Sequence, residues 1–181
     1  MPMHRRVLVL GGARSGKSRT ALELAERTST ERTYIATAQA YDDEMRERIA
    51  QHRAERDGSW RTVDAPLDLA EAVQARTAPG KAVLVDCLTL WLSNVLLAER
   101  NVAHEADRLV QAVQEAKGPL ILVSNEVGQG IVPPTPLGRT FRDEQGRLNQ
   151  RIAKACDAVV FVAAGCPILL KPAPSLQLGL E

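Results

Sequence analysis

A glycine-rich stretch near the N-terminus carries the clearest chemical signal in the chain. Its eight residues match the pattern G-x-x-x-x-G-K-[ST] and are Gly11, Gly12, Ala13, Arg14, Ser15, Gly16, Lys17 and Ser18. Such glycines let successive backbone N–H groups face a phosphate, and the start of a following helix adds partial positive charge. Lys17 would contact the β and γ phosphates, and the Ser18 hydroxyl would bind Mg²⁺. The stretch therefore predicts a nucleoside triphosphate site, the alternative being a glycine-rich turn with a solvated lysine.

An aspartate follows a second apolar run and is the candidate partner of that loop. Asp86 comes directly after the apolar residues 82–85. A carboxylate at the end of a neighbouring strand can hold magnesium through water in phosphate-loop enzymes. It could equally cap a helix that begins near Leu88. Together the two features indicate a nucleoside triphosphatase or transferase and nothing narrower.

A histidine lies in the middle of a predicted helix that opens with three acidic residues, 42–44. Met45, Ile49 and His52 share one face of this helix, since their spacing is four and then three residues. A helical histidine on an apolar face is usually a packed side chain, so the pattern alone favours that interpretation over catalysis. Two arginines follow, Arg53 and Arg56, which could hold phosphate oxygens or pair with neighbouring carboxylates.

Short apolar runs rich in valine and isoleucine alternate with helical stretches, which predicts an α/β fold with a mostly parallel sheet and helices around it. The predicted strands cover residues 6–10, 32–36, 61–63, 82–86, 119–124 and 158–163. The predicted helices cover residues 17–27, 43–55, 67–76, 90–99, 104–116 and 140–156. We further expect a long loop at residues 127–138 and a short edge strand at residues 168–171, which could be antiparallel. The tail at residues 172–181 should be loose.

Composition excludes several classes of protein. The 181 residues suit a single domain, and 45% hydrophobic with 25% charged residues is ordinary globular usage. A net charge of +1 gives no general attraction to nucleic acid. The longest apolar runs are too short or too often interrupted for a signal peptide or a membrane span. Three widely spaced cysteines, 87, 156 and 166, predict neither a disulfide framework nor a zinc site, so we expect a cytoplasmic protein.

Beyond the phosphate loop, an ordered series of segments resembles one known family over residues 7–171. The segments are Tyr34-Ile35-Ala36-Thr37-Ala38, Asp42-Asp43-Glu44-Met45 with Arg48-Ile49 and His52, Trp60-Arg61-Thr62, Val85-Asp86-Cys87-Leu88-Thr89, Ser124-Asn125-Glu126-Val127-Gly128 with Gly130-Ile131-Val132-Pro133, and Phe141-Arg142-Asp143 with Gly146-Arg147 and Asn149-Gln150-Arg151. In these segments the chain is similar to the bifunctional adenosylcobinamide kinases and adenosylcobinamide-phosphate guanylyltransferases of cobalamin biosynthesis.

The resemblance implies one RecA-like P-loop NTPase domain, residues 1–181, and two reactions. A nucleoside triphosphate would phosphorylate adenosylcobinamide, and GMP from GTP would then pass to adenosylcobinamide phosphate through a guanylylated histidine, which matches His52. The implied cofactors are GTP, ATP and Mg²⁺, and the implied assembly is a homotrimer. An imidazole that is neutral near pH 7 suits this role as a nucleophile.

The resemblance also implies which residues contact the nucleotide. Besides the phosphate loop they are Ala36, Thr37, Ala38, Arg53, Ala54, Glu55, Arg56, Asp64 and Asp86. Guanine presents N1–H and a 2-amino group, so its recognition calls for a carboxylate, and Asp64 and Asp86 are the candidates. Base recognition and magnesium binding are alternative roles for Asp86. Thr37 ends a strand and could be there for structural reasons alone.

Further polar residues follow the strand predicted at residues 119–124. Asn125 and Glu126 come at its carboxyl end, where ligands bind in open α/β sheets, and could bind magnesium or orient the corrinoid hydroxyl. The next loop and helix carry an excess of arginines, which could meet phosphate or be a solvated face: Arg139, Arg142, Arg147 and Arg151.

Two other functions stay open from the residues alone. One is a plain small-molecule kinase in which His52 only packs. The other is a regulatory or motor NTPase that acts on a macromolecular partner. The apolar stretch around Trp91 is a candidate contact surface for another subunit.

Overall fold

The strands and helices alternate along most of the chain, as the apolar runs predict. The computed structural model describes residues 5–40, 43–54 and 56–173, and within them it contains seven strands and six helices. The strands are β1 (Arg6–Gly11), β2 (Glu31–Ala36), β3 (Trp60–Asp64), β4 (Lys81–Asp86), β5 (Leu120–Asn125), β6 (Ala158–Ala163) and β7 (Cys166–Lys171). The helices are α1 (Lys17–Thr28), α2 (Asp43–Ala54), α3 (Leu69–Arg76), α4 (Leu88–Leu97), α5 (Val102–Gln114) and α6 (Pro136–Ala155).

All seven strands form one sheet in the order β3-β2-β4-β5-β1-β6-β7. The first six are parallel to their neighbours, and β7 is antiparallel to β6. The α/β class, the mostly parallel sheet and the antiparallel edge strand are therefore confirmed. Because β1 to β5 are parallel, the segments that follow them all emerge at one edge of the sheet, and that edge carries the candidate site.

Successive residues of the central strands pack into two apolar clusters on opposite faces of the sheet. Leu8 of β1 and Val83 of β4 belong to the first cluster, whereas Val9 and Leu84 belong to the second. Side chains of α3, α4, α5 and α6 cover the first face, and α1 covers the second. Strands buried on both faces are apolar at nearly every position, which explains why their sequences show runs rather than alternation.

The predicted long loop is shorter than expected because capping residues start the next helix early. The expected loop covers residues 127–138, but α6 begins at Pro136 and not at residue 140. The Thr135 hydroxyl accepts a hydrogen bond from the backbone N–H of Gly138 at 3.1 Å, and a proline suits the first helical position. Asn101 caps α5 in the same way, so this helix begins two residues earlier than predicted.

The helix α4 corrects two predictions. It begins at Leu88 with Cys87 as its N-cap residue, so Asp86 does not cap it. Trp91 is only 1% exposed and packs in the first apolar cluster. The stretch around Trp91 is therefore part of the core, and the prediction that it forms a contact surface for another subunit is wrong.

The cysteines are unpaired thiols. Cys87 and Cys156 are buried, and Cys166 is exposed at the start of β7. Burial raises the pKa of Cys87 to about 11 and that of Cys156 to about 12, so both stay protonated at neutral pH. None of the helices within the described ranges is long and apolar enough to cross a membrane.

Candidate active site

The phosphate loop joins β1 to α1, and its backbone requires glycine at two positions. A side-chain carbon on Gly11 would lie 2.4 Å from Oγ of Ser15 and 2.6 Å from the carbonyl oxygen of Val162. Gly16 has a φ of +95°, in the left-handed region that favours glycine. The glycine-rich pattern thus folds as a tight turn between a buried strand and a helix, as its mechanism requires.

The first turn of α1 offers backbone donors to an anion. Gly16 is the N-cap residue and provides no side-chain cap, and the first turn contains no acidic residue. The first N–H groups of a helix have no partner within that helix. The Ser15 hydroxyl is buried and has no hydrogen-bond partner within the described residues, while Ala13 and Arg14 at the tip of the loop are exposed. A phosphate group would supply the missing acceptors, so the loop fits a nucleotide.

The ammonium group of Lys17 lies over this loop. Its Nζ donates a hydrogen bond to the carbonyl oxygen of Gly12 at 2.9 Å. Partial burial lowers the pKa of Lys17, and Cys87 and Asp86 act in the opposite direction. A phosphate would replace a neutral acceptor with an anionic one, and charge-assisted hydrogen bonds of that kind are about twice as strong.

Two carboxylates end strands on the other side of β5. Ala36, the last residue of β2, lies opposite Asp64 of β3 on one side and Asp86 of β4 on the other. Asp64 is exposed, and Asp86 is half-buried. The sheet therefore brings both predicted guanine acceptors to the same edge as the phosphate loop.

A buried tyrosine links Asp86 to the segment that follows α2. The Tyr34 hydroxyl donates a hydrogen bond to Oδ2 of Asp86 at 3.1 Å. Burial and the nearby Asp86 carboxylate raise the pKa of Tyr34, so its proton stays in place. The guanidinium carbon of Arg56 lies 3.6 Å from the centre of the Tyr34 ring, and its Nη2 reaches Oγ1 of Thr62 at 3.5 Å. Arg56 is therefore held against the site by a cation–π contact.

Thr37 holds the end of β2 against the start of α4. It is fully buried, and its hydroxyl donates to the Cys87 carbonyl at 2.7 Å and accepts from the Cys87 N–H at 2.9 Å. The Asn94 side chain donates to the Thr37 carbonyl at 2.8 Å. These contacts give Thr37 a structural role, and direct contact of residues 36–38 with a nucleotide stays a prediction.

A buried polar network supports the end of β5 beside the phosphate loop. Gln145 Nε2 donates to the Ser124 hydroxyl and to Asn149 Oδ1, both at 2.9 Å, and Asn149 Nδ2 donates to the Asn125 carbonyl at 3.1 Å. The backbone N–H of Glu126 donates to the Gly11 carbonyl at 3.1 Å. Asn125 Oδ1 is buried and has no partner within the described residues. Gln145 Oε1 is a second buried acceptor without a described partner, and Asn125 Oδ1 is the one on the residue that ends β5 beside the loop.

Three of the four predicted arginines line a cavity beyond β5. The cavity has a volume of about 650 Å³, and Arg139, Arg142 and Arg147 lie on its wall. Arg142 Nη2 donates to the carbonyl oxygen of Gly128 at 2.5 Å, which ties the cavity to the segment after β5. Arg147 also forms an ion pair with Glu144 of the same helix, and Arg151, outside the cavity wall, forms one with an aspartate of α5.

The predicted nucleophile belongs to α2. The side chain of His52, like the whole of Glu55, lies outside the described residues, so the catalytic role of His52 stays a prediction. Arg53 and Ala54, which follow it on the helix, are exposed. The half-buried positions among the described side chains of α2 are Met45 and Ile49.

A magnesium ion would have few protein ligands at this edge. Ser18, half-buried in the first turn of α1, and Asp86 are the predicted ligands. Among the residues that the structure describes, no group of three or more His, Cys, Asp and Glu side chains could hold a metal ion. Magnesium bound together with a nucleotide needs only one or two protein ligands beside water and phosphate oxygens, so Ser18 and Asp86 fit that case.

The sequence did not identify the buried polar residues that support this site. Tyr34 lies on a buried face of β2, and Gln145 and Asn149 lie four residues apart on the buried side of α6. A polar residue at a position that the apolar pattern predicts to be buried must find a hydrogen-bond partner, and such positions could have identified these residues.

Comparison with known proteins shows which family shares these features. The model of the family described as cobinamide kinase / cobinamide phosphate guanyltransferase matches residues 7–170. The chain belongs to this family. It is 49% identical over 171 residues to the bifunctional adenosylcobalamin biosynthesis protein CobP of Pseudomonas aeruginosa, an alignment that covers 93% of this chain and 99% of that protein. Identity to CobU of Salmonella typhimurium is 41% over 180 residues, covering 91% and 99%.

Solved structures confirm the fold of this family member. The RadB recombinase matches with a TM-score of 0.50 and 15% identity, over 86% of this chain and 73% of that one. A prototypical ATPase from the type III secretion system matches with a TM-score of 0.51 and 9% identity, over 87% of this chain and 50% of that one. The predicted RecA-like P-loop NTPase fold is therefore confirmed.

Proposed function

We propose that this protein phosphorylates adenosylcobinamide and then transfers GMP from GTP to adenosylcobinamide phosphate, giving adenosylcobinamide-GDP and pyrophosphate. Membership of the cobinamide kinase / cobinamide phosphate guanyltransferase family supports both activities. One structural observation carries the nucleotide part of the proposal. The tight turn at Gly11, with a Ser15 hydroxyl that has no partner among the described residues, lies at the same sheet edge as Asp64 and Asp86.

In the kinase reaction, the phosphate loop holds the triphosphate of ATP or GTP. The hydroxyl oxygen of adenosylcobinamide attacks the γ phosphorus and loses its proton to solvent, and the nucleoside diphosphate leaves as the bond from the γ phosphorus to the β–γ bridging oxygen breaks. Lys17 would move from the Gly12 carbonyl to the phosphate oxygens and stabilise their charge. Asn125 Oδ1, the unused acceptor beside the loop, would orient the attacking hydroxyl. Magnesium held by Ser18 and Asp86 would neutralise phosphate charge when bound.

In the transfer reaction, His52 carries the nucleotide between two displacements. A ring nitrogen of neutral His52 attacks the α phosphorus of GTP, and pyrophosphate leaves as the α–β bridging bond breaks. A phosphate oxygen of adenosylcobinamide phosphate then attacks the same phosphorus, and the phosphorus–nitrogen bond breaks to restore the imidazole. The arginines that follow on the chain, Arg53 and Arg56, would stabilise the charge on the phosphoryl oxygens.

Guanine would be selected by the carboxylates on either side of Ala36. Asp64 and Asp86 are the strand-end acceptors available for its N1–H and 2-amino group. We expect Asp64→Asn to reduce the preference for GTP over ITP, which lacks the 2-amino group, by about tenfold or more, because a lost pairing of this kind costs about 1–3 kcal/mol. Labelling rates with the two nucleotides measure this preference, and an unchanged ratio would remove Asp64 from base recognition.

The arginine-lined cavity would receive the corrinoid phosphate. Arg139, Arg142 and Arg147 supply positive charge beside the single carboxylate of Asp143, and Gly128 on the cavity wall follows Asn125 by three residues. We also propose a trimer in the cytoplasm, as the family resemblance and the cysteine usage imply. The exposed apolar residues Ile131 and Val132, on the segment beside the cavity, support a subunit contact there.

Labelling with GTP that carries radioactive phosphorus at the α position tests the proposed intermediate. Wild-type protein should acquire protein-bound label that is labile in acid and stable in base, as a phosphoramidate is. His52→Ala should acquire no label yet keep ATP-dependent phosphorylation of adenosylcobinamide. His104→Ala is the matched control, because His104 is exposed on α5, and it should label normally.

Each alternative function predicts a different result in this assay. A wild-type protein that phosphorylates adenosylcobinamide but never acquires label would be a plain kinase. Label that persists in His52→Ala would place the nucleophile elsewhere. Hydrolysis that occurs only with a macromolecular partner would indicate a motor or regulatory NTPase.

A further inference from the structure

A second basic cavity lies at the edge of the sheet opposite the phosphate loop. Its volume is about 360 Å³, and it is lined by residues at the amino ends of β2, β3 and β4 and at the C-terminus of α3. Four cationic side chains line it together with one carboxylate: Arg32, Arg61, Arg76, Lys81 and Glu31. We call this the amino-edge cavity. Nothing in the proposed reactions uses it.

The four cations of the amino-edge cavity outnumber the carboxylates near them, which are Glu31 on its wall and Asp57 close to Arg32. Its carboxylate, Glu31, is already paired with Lys81 at 2.9 Å. Arg61 and Arg76 make no ion pair or side-chain hydrogen bond with the residues that the structure describes. The C-terminus of α3 supplies only about half a negative charge. Three arginines therefore share a cavity that contains no free carboxylate among its described lining.

Two of these arginines also have unsatisfied donors. The Nε atoms of Arg32 and Arg76 are buried and have no hydrogen-bond partner within the described residues. Arg32 is held in place by a hydrogen bond from its Nη2 to the Ser59 hydroxyl at 2.6 Å and by its position 5.5 Å from the centre of the Trp60 ring. A guanidinium that is fixed but incompletely bonded is suited to an anionic acceptor.

We propose that the amino-edge cavity is a second anion site, which binds a small inorganic phosphate such as pyrophosphate. Arginine forks match phosphate oxygens, and the Thr30 and Thr33 side chains on the wall can add hydroxyl donors. The only apolar side chains on that wall are those of Ala75 and Ala78, so the cavity offers no aromatic side chain on which a base would stack. This favours an inorganic phosphate over a nucleotide.

Calorimetric titration of pyrophosphate into the full chain carrying Lys17→Ala tests the proposal. Lys17→Ala weakens binding at the phosphate loop but leaves the cavity lined by Arg139, Arg142 and Arg147 intact, so the binding assigned to the amino-edge cavity is the part lost on adding Arg61→Gln and Arg76→Gln. We expect these two substitutions to weaken that part at least tenfold. Adding Arg19→Gln and Arg27→Gln removes the same charge from exposed positions of α1 and should leave the affinity unchanged.

A second measurement leaves the cavity unmutated. The chain has two tryptophans, and Trp60 lies under Arg32 whereas Trp91 is in the core. Pyrophosphate added to the Lys17→Ala protein should shift the indole N–H resonance of Trp60 and leave that of Trp91 in place. GMP should shift it less than pyrophosphate at the same concentration.

Three outcomes would overturn the proposal. They are an absent Trp60 shift, equal loss of affinity in the two double arginine variants, and GMP binding as tight as pyrophosphate binding, which would make the cavity a nucleotide site. Because the test uses no guanylyl transfer, its failure would leave the proposed function untouched. Failure of His52 labelling would likewise leave this site untouched.

Discussion

Replacing Gly11 with alanine should destabilise the protein, because the loop leaves no room for a side chain there. The added carbon would lie 2.4 Å from Oγ of Ser15 and 2.6 Å from the carbonyl oxygen of Val162, whereas ordinary contacts begin at 3.4 Å. Ser15 can rotate away. The Val162 oxygen belongs to β6, which is paired with β1, so it cannot move without disturbing the sheet. Overpacking costs about 1–3 kcal/mol, and we expect the upper end of that range here.

The Gly11→Ala effect can be measured by thermal and urea unfolding. For a chain of this size a loss of about 3 kcal/mol lowers the Tm by about 6–12 °C. Affinity for GTP should fall as well, because Ser15 must leave its position in the loop. Gly12→Ala is the matched control: a carbon there meets no atom of the described residues within 4 Å, so its unfolding free energy should stay within about 0.5 kcal/mol of wild type. A Gly11→Ala protein as stable as Gly12→Ala would refute the argument from close contact.

Two further substitutions test single contacts. Asp157→Asn should lower the unfolding free energy by about 1–2 kcal/mol at pH 7, since Asp157 accepts hydrogen bonds from the Arg6 side chain and backbone. Arg6 lowers the pKa of Asp157 to about 2, so the advantage of wild type in urea unfolding should be full above about pH 5 and disappear as the pH falls from about 4 to 2. Tyr34→Phe should slow guanylylation about tenfold without unfolding the protein, because Asp86 loses the donor that orients it. An unchanged labelling rate would show that Asp86 needs no such donor.

The sheet could be predicted from the sequence because its signal is local. Every residue from Ala82 to Val85 is completely buried. A short apolar run between turn residues is the sequence pattern that predicts such a buried strand. Helix starts were harder, because they depend on caps rather than on periodicity. Thr135 and Pro136 fix the start of α6 through one hydrogen bond and one restricted φ angle, and neither changes the apolar pattern.

The site was predictable only where its residues are close together in the sequence. The phosphate loop is one such segment, and its glycines predict the turn. The contact between Tyr34 and Asp86 joins residues 52 positions apart, and the hydrogen bond between Ser124 and Asn149 joins residues 25 positions apart. Such pairs depend on strand order and helix packing, which a single sequence does not encode in any local pattern.

Strand order also separates the roles that the two carboxylates can play. Neighbouring strands lie about 4.8 Å apart, so in the order β3-β2-β4-β5-β1 the end of β4 is about 10 Å from the phosphate loop and the end of β3 about 19 Å. Asp86 is near enough to influence the pKa of Lys17. It can therefore serve either the phosphate end of a nucleotide or its base, whereas Asp64 can serve only the distant end. A nucleotide that runs along this edge from Gly11 toward Asp64 would pass Asp86 on its way, which explains why one strand-end aspartate is a candidate for both magnesium and guanine.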